Sequence, residues 1–377
     1  MRISFINGLM VAGDAISNSV KDKVRAVTEH SRETGVPLDA RVFLCGTDAR
    51  DERVSVVRGV NDIVSHGHFL SSDIVIYDFG IYYELFNSIF LAPPAARKFV
   101  HFHNITPAEL VPERERETIE KSYSQLANVF AADHIIAGSP YNRDTLLKFG
   151  VSGDRITILD YSIDFPDGSR EGRIKIKERG PARLLYIGRF VPSKGVLDLL
   201  KAVKMALDKG FSGFRLDLIG NETFSDKAYM EAIKAFIAEN GIGEFVDFRG
   251  TVTDEERRVY YERAHALVMP SYHEGFCVPV VEAYNHGCFV ISYDAGNLHN
   301  LVSGFGCVVK TGDVEGLSES IVRFCSRKSG DRIVADAGSF DEDEYARTVV
   351  GYSDTFSFAR FKDRFIKILD MGIHATG

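Results

Sequence analysis

Between residues 270 and 287 the sequence reads PSYHEGFCVPVVEAYNHG, and two carboxylates within it, Glu274 and Glu282, flank a glycine, an aromatic ring and a thiol. Pro279 suits the first turn of a helix, where its missing N–H costs no hydrogen bond. Gly287 suits the left-handed position just past the last turn, so the spacing predicts a helix over Val278 to His286. Gly275, Phe276 and Cys277 then sit at the helix N-terminus, beside Val278, where unpaired backbone N–H groups and the helix dipole attract an anion such as a diphosphate. A carboxylate has two acceptor oxygens and can take both hydroxyls of a vicinal diol, so two carboxylates beside an anion cradle suit a nucleotide sugar. The plainer alternative makes Glu282 an acid favoured by the helix dipole and Glu274 a solvated loop residue.

A second segment, LLYIGRFVPSKGVLDLLKAV, covers residues 184 to 203. A strand ends at Gly188 and a helix starts near Val196, so Arg189 and Lys194 fall on a loop at the carboxyl edge of a sheet, where such sheets bind ligands. Two cations there can neutralise a departing diphosphate, and stabilising developing charge usually contributes most to catalysis. The lysine precedes the glycine, so this is not a Walker loop, and exposed cations on such loops are common.

In the first half, the strand RKFVHF runs into HNITP. Alternation puts His101 and His103 on one side, with His103 nearer the strand end, where it can bond a sugar hydroxyl or steer a proton; a satisfied structural histidine is the competing reading. After the first strand, Gly13 permits close backbone approach to a ligand beside Asp14, and Ser17 is expected to cap the following helix. The fingerprint G-x-G-x-x-G is absent, which argues against a dehydrogenase. Ser139 and Pro140 suit the cap and first position of another helix.

Short β-branched runs alternate with helical stretches almost end to end, the pattern of parallel βα units covered on both faces. Strands are expected at 2–6, 40–45, 73–78, 97–102, 133–138 and 155–160, and again at 183–188, 214–220, 244–250, 265–270, 288–293 and 306–310. The fold class is therefore α/β, with two Rossmann-like doubly wound sheets facing a cleft. Expected boundaries are a first domain at 1–165, a polar linker rich in Pro and Gly at 166–182, a second domain at 183–355, and a C-terminal helix in 356–377. In that last segment Phe358, Phe361, Phe365 and Leu369 recur every three or four residues, so it can cross back to close the fold.

The 377-residue chain carries 45 basic and 53 acidic residues, a formal charge of −8, without any dense Lys/Arg block, which gives no electrostatic footprint for nucleic acid. No run of 18 apolar residues and no export signal is found, so a cytoplasmic location is expected. Five scattered cysteines, Cys45, Cys277, Cys288, Cys307 and Cys325, argue against both a disulfide framework and a zinc site.

Taken together these segments resemble the retaining glycosyltransferases of the GT-B fold, specifically family 4 with its bacterial hexosyltransferases. The resemblance rests on IGRFVPSKG, on the Glu274-to-Glu282 spacing around GFCVPVVEA, and on GDAISN, HFHNITPAEL and AGSPYNRDTL in the first half. It implies transfer of a hexose from a UDP- or GDP-linked donor to a saccharide or lipid-linked acceptor, with retained anomeric configuration and neither metal nor further cofactor. Arg189 and Lys194 would grip the diphosphate beyond Gly188, Glu274 would orient the sugar and Glu282 would hold the ribose. Amides of Gly275, Phe276 and Cys277 would complete the cradle. His103 would face the sugar, and Gly13 and Asp14 would lie near the reacting centre. Surface-polysaccharide synthesis and peripheral association with the inner face of a membrane fit the family's habit. Cys277 departs from the family's usual residue, and its bearing on sugar choice stays open. An epimerase or phosphorylase on the same fold, or a nucleotide-sugar binding protein without turnover, are the competing readings.

Overall fold

In the computed structural model residues 1–370 are described, apart from residue 12 and residues 49–50, 165–176, 178–179 and 329. Most of the linker expected at 166–182 lies outside the described residues. The chain forms two compact units. The first comprises Met1–Glu109, Glu113–Ser162 and the segment from Ser357; the second comprises Ile163–Phe356 with Leu110–Pro112.

The main sheet of the first unit is built from seven strands: β1 (Arg2–Ile6), β2 (Asp39–Leu44), β3 (Val54–Val56), β4 (Ile74–Phe79), β5 (Arg97–Phe102), β6 (His134–Ala137) and β7 (Ile156–Ile158). They pair in the order β3-β2-β1-β4-β5-β6-β7, all parallel. Six match the sequence expectation; β3 is a short edge strand that it did not include. The second unit repeats the arrangement with β8 (Ala182–Ile187), β9 (Phe214–Ile219), β10 (Val246–Gly250), β11 (Ala266–Met269), β12 (Phe289–Tyr293) and β13 (Cys307–Val309), in the order β10-β9-β8-β11-β12-β13. In both sheets the order reverses beside the first strand, which is the switch point where doubly wound sheets bind ligands. β4 and β11 are buried along their whole length, as expected of central strands covered on both faces.

Helix α1 (Ala15–Thr34) follows β1. Its cap is Asp14, not Ser17: the Asp14 carboxylate accepts the Ser17 N–H at 2.8 Å and the Ser17 hydroxyl at 2.7 Å, while that hydroxyl accepts the Val11 N–H at 3.1 Å. Ser17 already lies inside the first turn, so its side chain cannot serve the amides ahead of it, whereas Asp14 stands at the reach of an N-cap. Helix α2 (Phe358–Asp370) returns the chain to the first unit. Its Phe361, Phe365, Ile368 and Leu369 join Ile3, Phe5, Val20, Val24 and Val27 in one core, and each such side chain contributes roughly 1.5–3 kcal/mol by leaving water. Among the described residues, no helix is long and apolar enough to cross a membrane.

Candidate active site

In the second unit two loops at the carboxyl end of the sheet are tied together. Gly195, in the left-handed region at φ 65°, begins the helix Val196–Asp208, and a β-carbon there would stand 2.0 Å from the Pro270 carbonyl oxygen. Only glycine permits that approach. The Tyr272 N–H donates to the Ser193 carbonyl at 2.8 Å, and the Lys194 ammonium meets Glu274 Oε1 at 2.7 Å, an oxygen that also accepts the Ser271 hydroxyl at 2.8 Å. The main chain of Glu274 is fixed as well. Its carbonyl accepts the Asn297 N–H at 2.8 Å, and Gly296, at φ 61°, leaves room where a β-carbon would stand 2.2 Å from that oxygen. Glu274 is thus a buried carboxylate held on three sides, with Lys194 as its charged partner.

The helix expected at 278–286 spans Val278–Asn285, with Pro279 in its first turn. Cys277 precedes it at φ 85° and gives no side-chain cap, although the left-handed region costs a non-glycine residue roughly 1–2 kcal/mol. Burial, reinforced by the neighbouring Glu274 charge, pushes the Cys277 thiol well above its ordinary range, so it stays protonated and is no nucleophile. One turn on, Glu282 accepts the Tyr261 hydroxyl at 2.7 Å and lies 3.5 Å from the Arg257 guanidinium. Gly188 directly follows β8 and packs against Tyr186, whose hydroxyl donates to the Arg189 carbonyl at 2.9 Å and fixes the backbone from which the exposed Arg189 side chain projects.

The remaining expected residues lie in the first unit. Gly13, at φ 75°, is exposed beside the capping Asp14. His103 follows β5, its N–H bonded to the Phe79 carbonyl at 2.8 Å. Both its ring nitrogens are engaged: Nε2 with Asp78 Oδ1 at 2.8 Å and Nδ1 with the Tyr161 hydroxyl at 2.5 Å. Asp78 Oδ1 also takes the Lys23 ammonium, and both side chains of that pair are fully buried. The His101 ring lies 4.1 Å from that of His103, centroid to centroid. Neither nitrogen of His101 has a hydrogen-bond partner among the described residues, and the same holds for Asp78 Oδ2. Asp78, His101 and His103 bring ligand-capable atoms within 4.8 Å of one another, but Lys23 already supplies the cation that this carboxylate balances.

Burial opposes ionisation of Asp78, yet Lys23 and His103 more than offset it and hold the carboxyl below its usual range; burial draws Lys23 down, and Asp78 pulls it back. Burial also lowers His103, and it lowers His101 well below the ordinary 6.5, where Lys23 and His103 add to it. His68 and His134 of the same unit move the same way, burial again leading. These histidines are therefore neutral when folded, and the unfolded chain binds more protons below its ordinary histidine value. Their contribution is complete above that value and is lost as pH falls toward the folded values. Between the unfolded and folded values the fully buried His101 and His103 each cost the first unit at most about 1.4 kcal/mol per pH unit, and solvent screening makes the partly exposed His68 and His134 cost less. Melting of that unit is expected to fall clearly between pH 7.5 and 5.5, and less steeply in His101→Phe. Superimposable melts at the two pH values would show that the histidines are not held neutral.

Sequence reasoning did not single out Lys23, Asp78, Tyr161 or Tyr261. The sites it did single out divide between the units: Gly188, Arg189, Lys194, Glu274, Gly275, Phe276, Cys277, Val278 and Glu282 in the second, and Gly13, Asp14 and His103 in the first.

Residues 170–337 match the family described as glycosyl transferases group 1. The chain is 26% identical over 237 residues to O-antigen chain mannosyltransferase B of Escherichia coli, covering 60% of this chain and 61% of that protein. It is 25% identical over 207 residues to the GDP-mannose:cellobiosyl-diphosphopolyprenol alpha-mannosyltransferase of Xanthomonas campestris, covering 54% and 52%. Its matches thus span about half the length of these curated relatives. Among solved structures, Anabaena HepE in complex with UDP and glucose superposes with a TM-score of 0.71 at 17% identity, covering 98% of this chain and 100% of that one, a likeness of fold. The match to the glycosyl transferases group 1 family thus covers residues 170–337, and the two parallel-sheet units are those of the GT-B fold.

Proposed function

We propose that the protein is a retaining, metal-independent hexosyltransferase that moves a sugar from a UDP- or GDP-linked donor to a saccharide, free or on a lipid carrier, in the cytoplasm or at its membrane face. The observation that carries this reading is the Lys194–Glu274 pair at 2.7 Å, set beside a helix N-terminus that has no side-chain cap. That arrangement offers an anion a cation beside the positive end of a helix dipole, and offers a sugar an oriented carboxylate. A relative named for both GDP-mannose and a diphosphopolyprenol, and a structural neighbour holding UDP, support the donor and acceptor classes.

In this reading Lys194, Arg189 and the amides of Gly275, Phe276 and Cys277 hold the diphosphate, and Glu274 binds sugar hydroxyls. Glu282, steadied by Tyr261 and Arg257, takes the ribose diol. His103 accepts from a hydroxyl of the transferred sugar. As the glycosidic bond breaks, the leaving diphosphate gains charge that Lys194 and Arg189 neutralise.

Thermal melting against UDP, GDP, ADP, dTDP and their common sugar conjugates tests it. A ligand that binds only the folded state at 100 times its Kd adds about 2.7 kcal/mol of stability. One nucleotide family is expected to raise the melting temperature of the second unit, with most of the rise lost in Glu282→Gln. A flat response to all of them would overturn the assignment.

A further inference from the structure

His103 stands at the end of a chain of buried polar groups that its own segment does not supply. β4 and β5 are paired so that Asp78 lies directly beside His101, and Asp78 Oδ1 reaches His103 Nε2 two residues further on at 2.8 Å. Lys23 comes from α1, on the same helical face as Val20, Val24 and Val27, and its ammonium bonds the same oxygen. Tyr161, beyond β7, closes the other side at Nδ1. The backbone around His103 is equally constrained. Asn104 takes the left-handed region at φ 81°, its side-chain amide donating to Asn142 Oδ1 at 2.8 Å, and a β-carbon on Gly80 would stand 3.2 Å from the His103 β-carbon.

The hydrogen positions follow from the chemistry of the partners. An ionised carboxylate only accepts, so the bond to Asp78 requires a hydrogen on His103 Nε2. A neutral imidazole carries one hydrogen, so Nδ1 is bare and accepts from the Tyr161 hydroxyl, which is the donor of that pair. We propose that Asp78, charge-balanced by Lys23, is the positioning residue of His103: it fixes the Nε2–H tautomer, so that Nδ1 is a permanent acceptor which Tyr161 occupies until a hydroxyl of the donor sugar replaces it. The function of Nδ1 toward sugar rests on the glycosyltransferase reading above; the tautomer does not.

With both ring nitrogens committed, His103 in this state has no lone pair open to a ligand. A sugar hydroxyl must displace the Tyr161 hydroxyl from Nδ1, a one-for-one exchange of hydrogen-bond donors that leaves no buried acceptor unpaired. The alternative tautomer, with hydrogen on Nδ1, would set the bare Nε2 against a carboxylate oxygen and would meet a sugar hydroxyl as a donor.

Nitrogen-15 NMR of the histidine rings in the full-length protein tests the proposal directly. His103 is expected to be neutral with its hydrogen on Nε2, and to keep that tautomer when the nucleotide sugar binds. In the charge-neutral pair Lys23→Met/Asp78→Leu the lock is removed, and His103 is expected to show mixed tautomers. The kcat should fall about 10- to 100-fold, at or below the lower end of what a positioned acid–base group contributes because His103 itself stays in place, with the donor KM within a few-fold of wild type. Tyr161→Phe, which removes the competing hydroxyl, should lower the donor KM. An Nδ1–H tautomer in wild type overturns the proposal without need of any variant, and so does a double variant that keeps both tautomer and kcat. A wild-type protein that transfers no sugar from any nucleotide donor would sink the glycosyltransferase reading instead, and the resting tautomer would still decide the role of Asp78.

Discussion

Lys194→Ala is expected to lower kcat by about 100- to 1,000-fold, the loss seen when one preorganised contact to developing charge is removed, while the donor KM rises only a few-fold. The asymmetry follows from where the charge changes. In the resting protein the ammonium bonds Glu274 Oε1 at 2.7 Å, so the carboxylate and the cation share one small, largely buried space. A bound diphosphate adds negative charge beside that pair, and bond cleavage adds more; an interaction that strengthens along this path lowers the barrier more than it tightens the ground state. The truncation also strips the buried Glu274 of its cation, while the Ser271 hydroxyl still donates to Oε1. Sugar orientation should therefore loosen together with charge stabilisation. Lys194→Arg restores the charge but sets a planar fork where a compact ammonium fits, so it should recover only part of the rate. Steady-state kinetics with a melting curve for each variant checks this. A folded Lys194→Ala protein with wild-type turnover would remove Lys194 from the reaction.

The placement of the second unit's candidate residues was largely legible in sequence because they lie close together along the chain or on loops with strong local signals. Pro279 and Gly287 bracket a helix, and the segment from Gly188 to Gly195 joins a strand to another. What the sequence does not show is that Gly195 and Gly296 are there to let loops touch Pro270 and Glu274, because those approaches depend on strand order. The first unit's cluster was read only at its histidines. Lys23, Asp78 and Tyr161 are 55, 25 and 58 residues from the groups they bond, and parallel pairing brings them together. A signal was nonetheless present. Lys23 interrupts the apolar face made by Val20, Val24 and Val27, and Asp78 interrupts the apolar run IVIYDF; one opposite charge in each of two buried stripes is most simply satisfied by pairing them. The edge strand Val54–Val56 escaped because three residues, none of them buried, carry too little alternation to read.

That pairing makes a second large effect expected. Lys23→Met should destabilise the first unit by about 3–5 kcal/mol, as removal of one partner from a buried ion pair leaves the other charge uncompensated. Asp78→Leu should cost a similar amount, since it strands the ammonium on a helix face with no other buried carboxylate on Asp78's strand. The double variant Lys23→Met/Asp78→Leu should lose much less than the sum, because two apolar side chains of similar volume need no partner. On this expectation stability comes from the mutual compensation of the two charges and not from the presence of either, which leaves the orientation of His103 as the pair's separate, testable effect. Denaturant unfolding of the four proteins, followed by probes in the first unit, measures the coupling. Additive losses would mean that Lys23 and Asp78 do not compensate each other, and single losses below about 1 kcal/mol would place them in the range of an exposed pair.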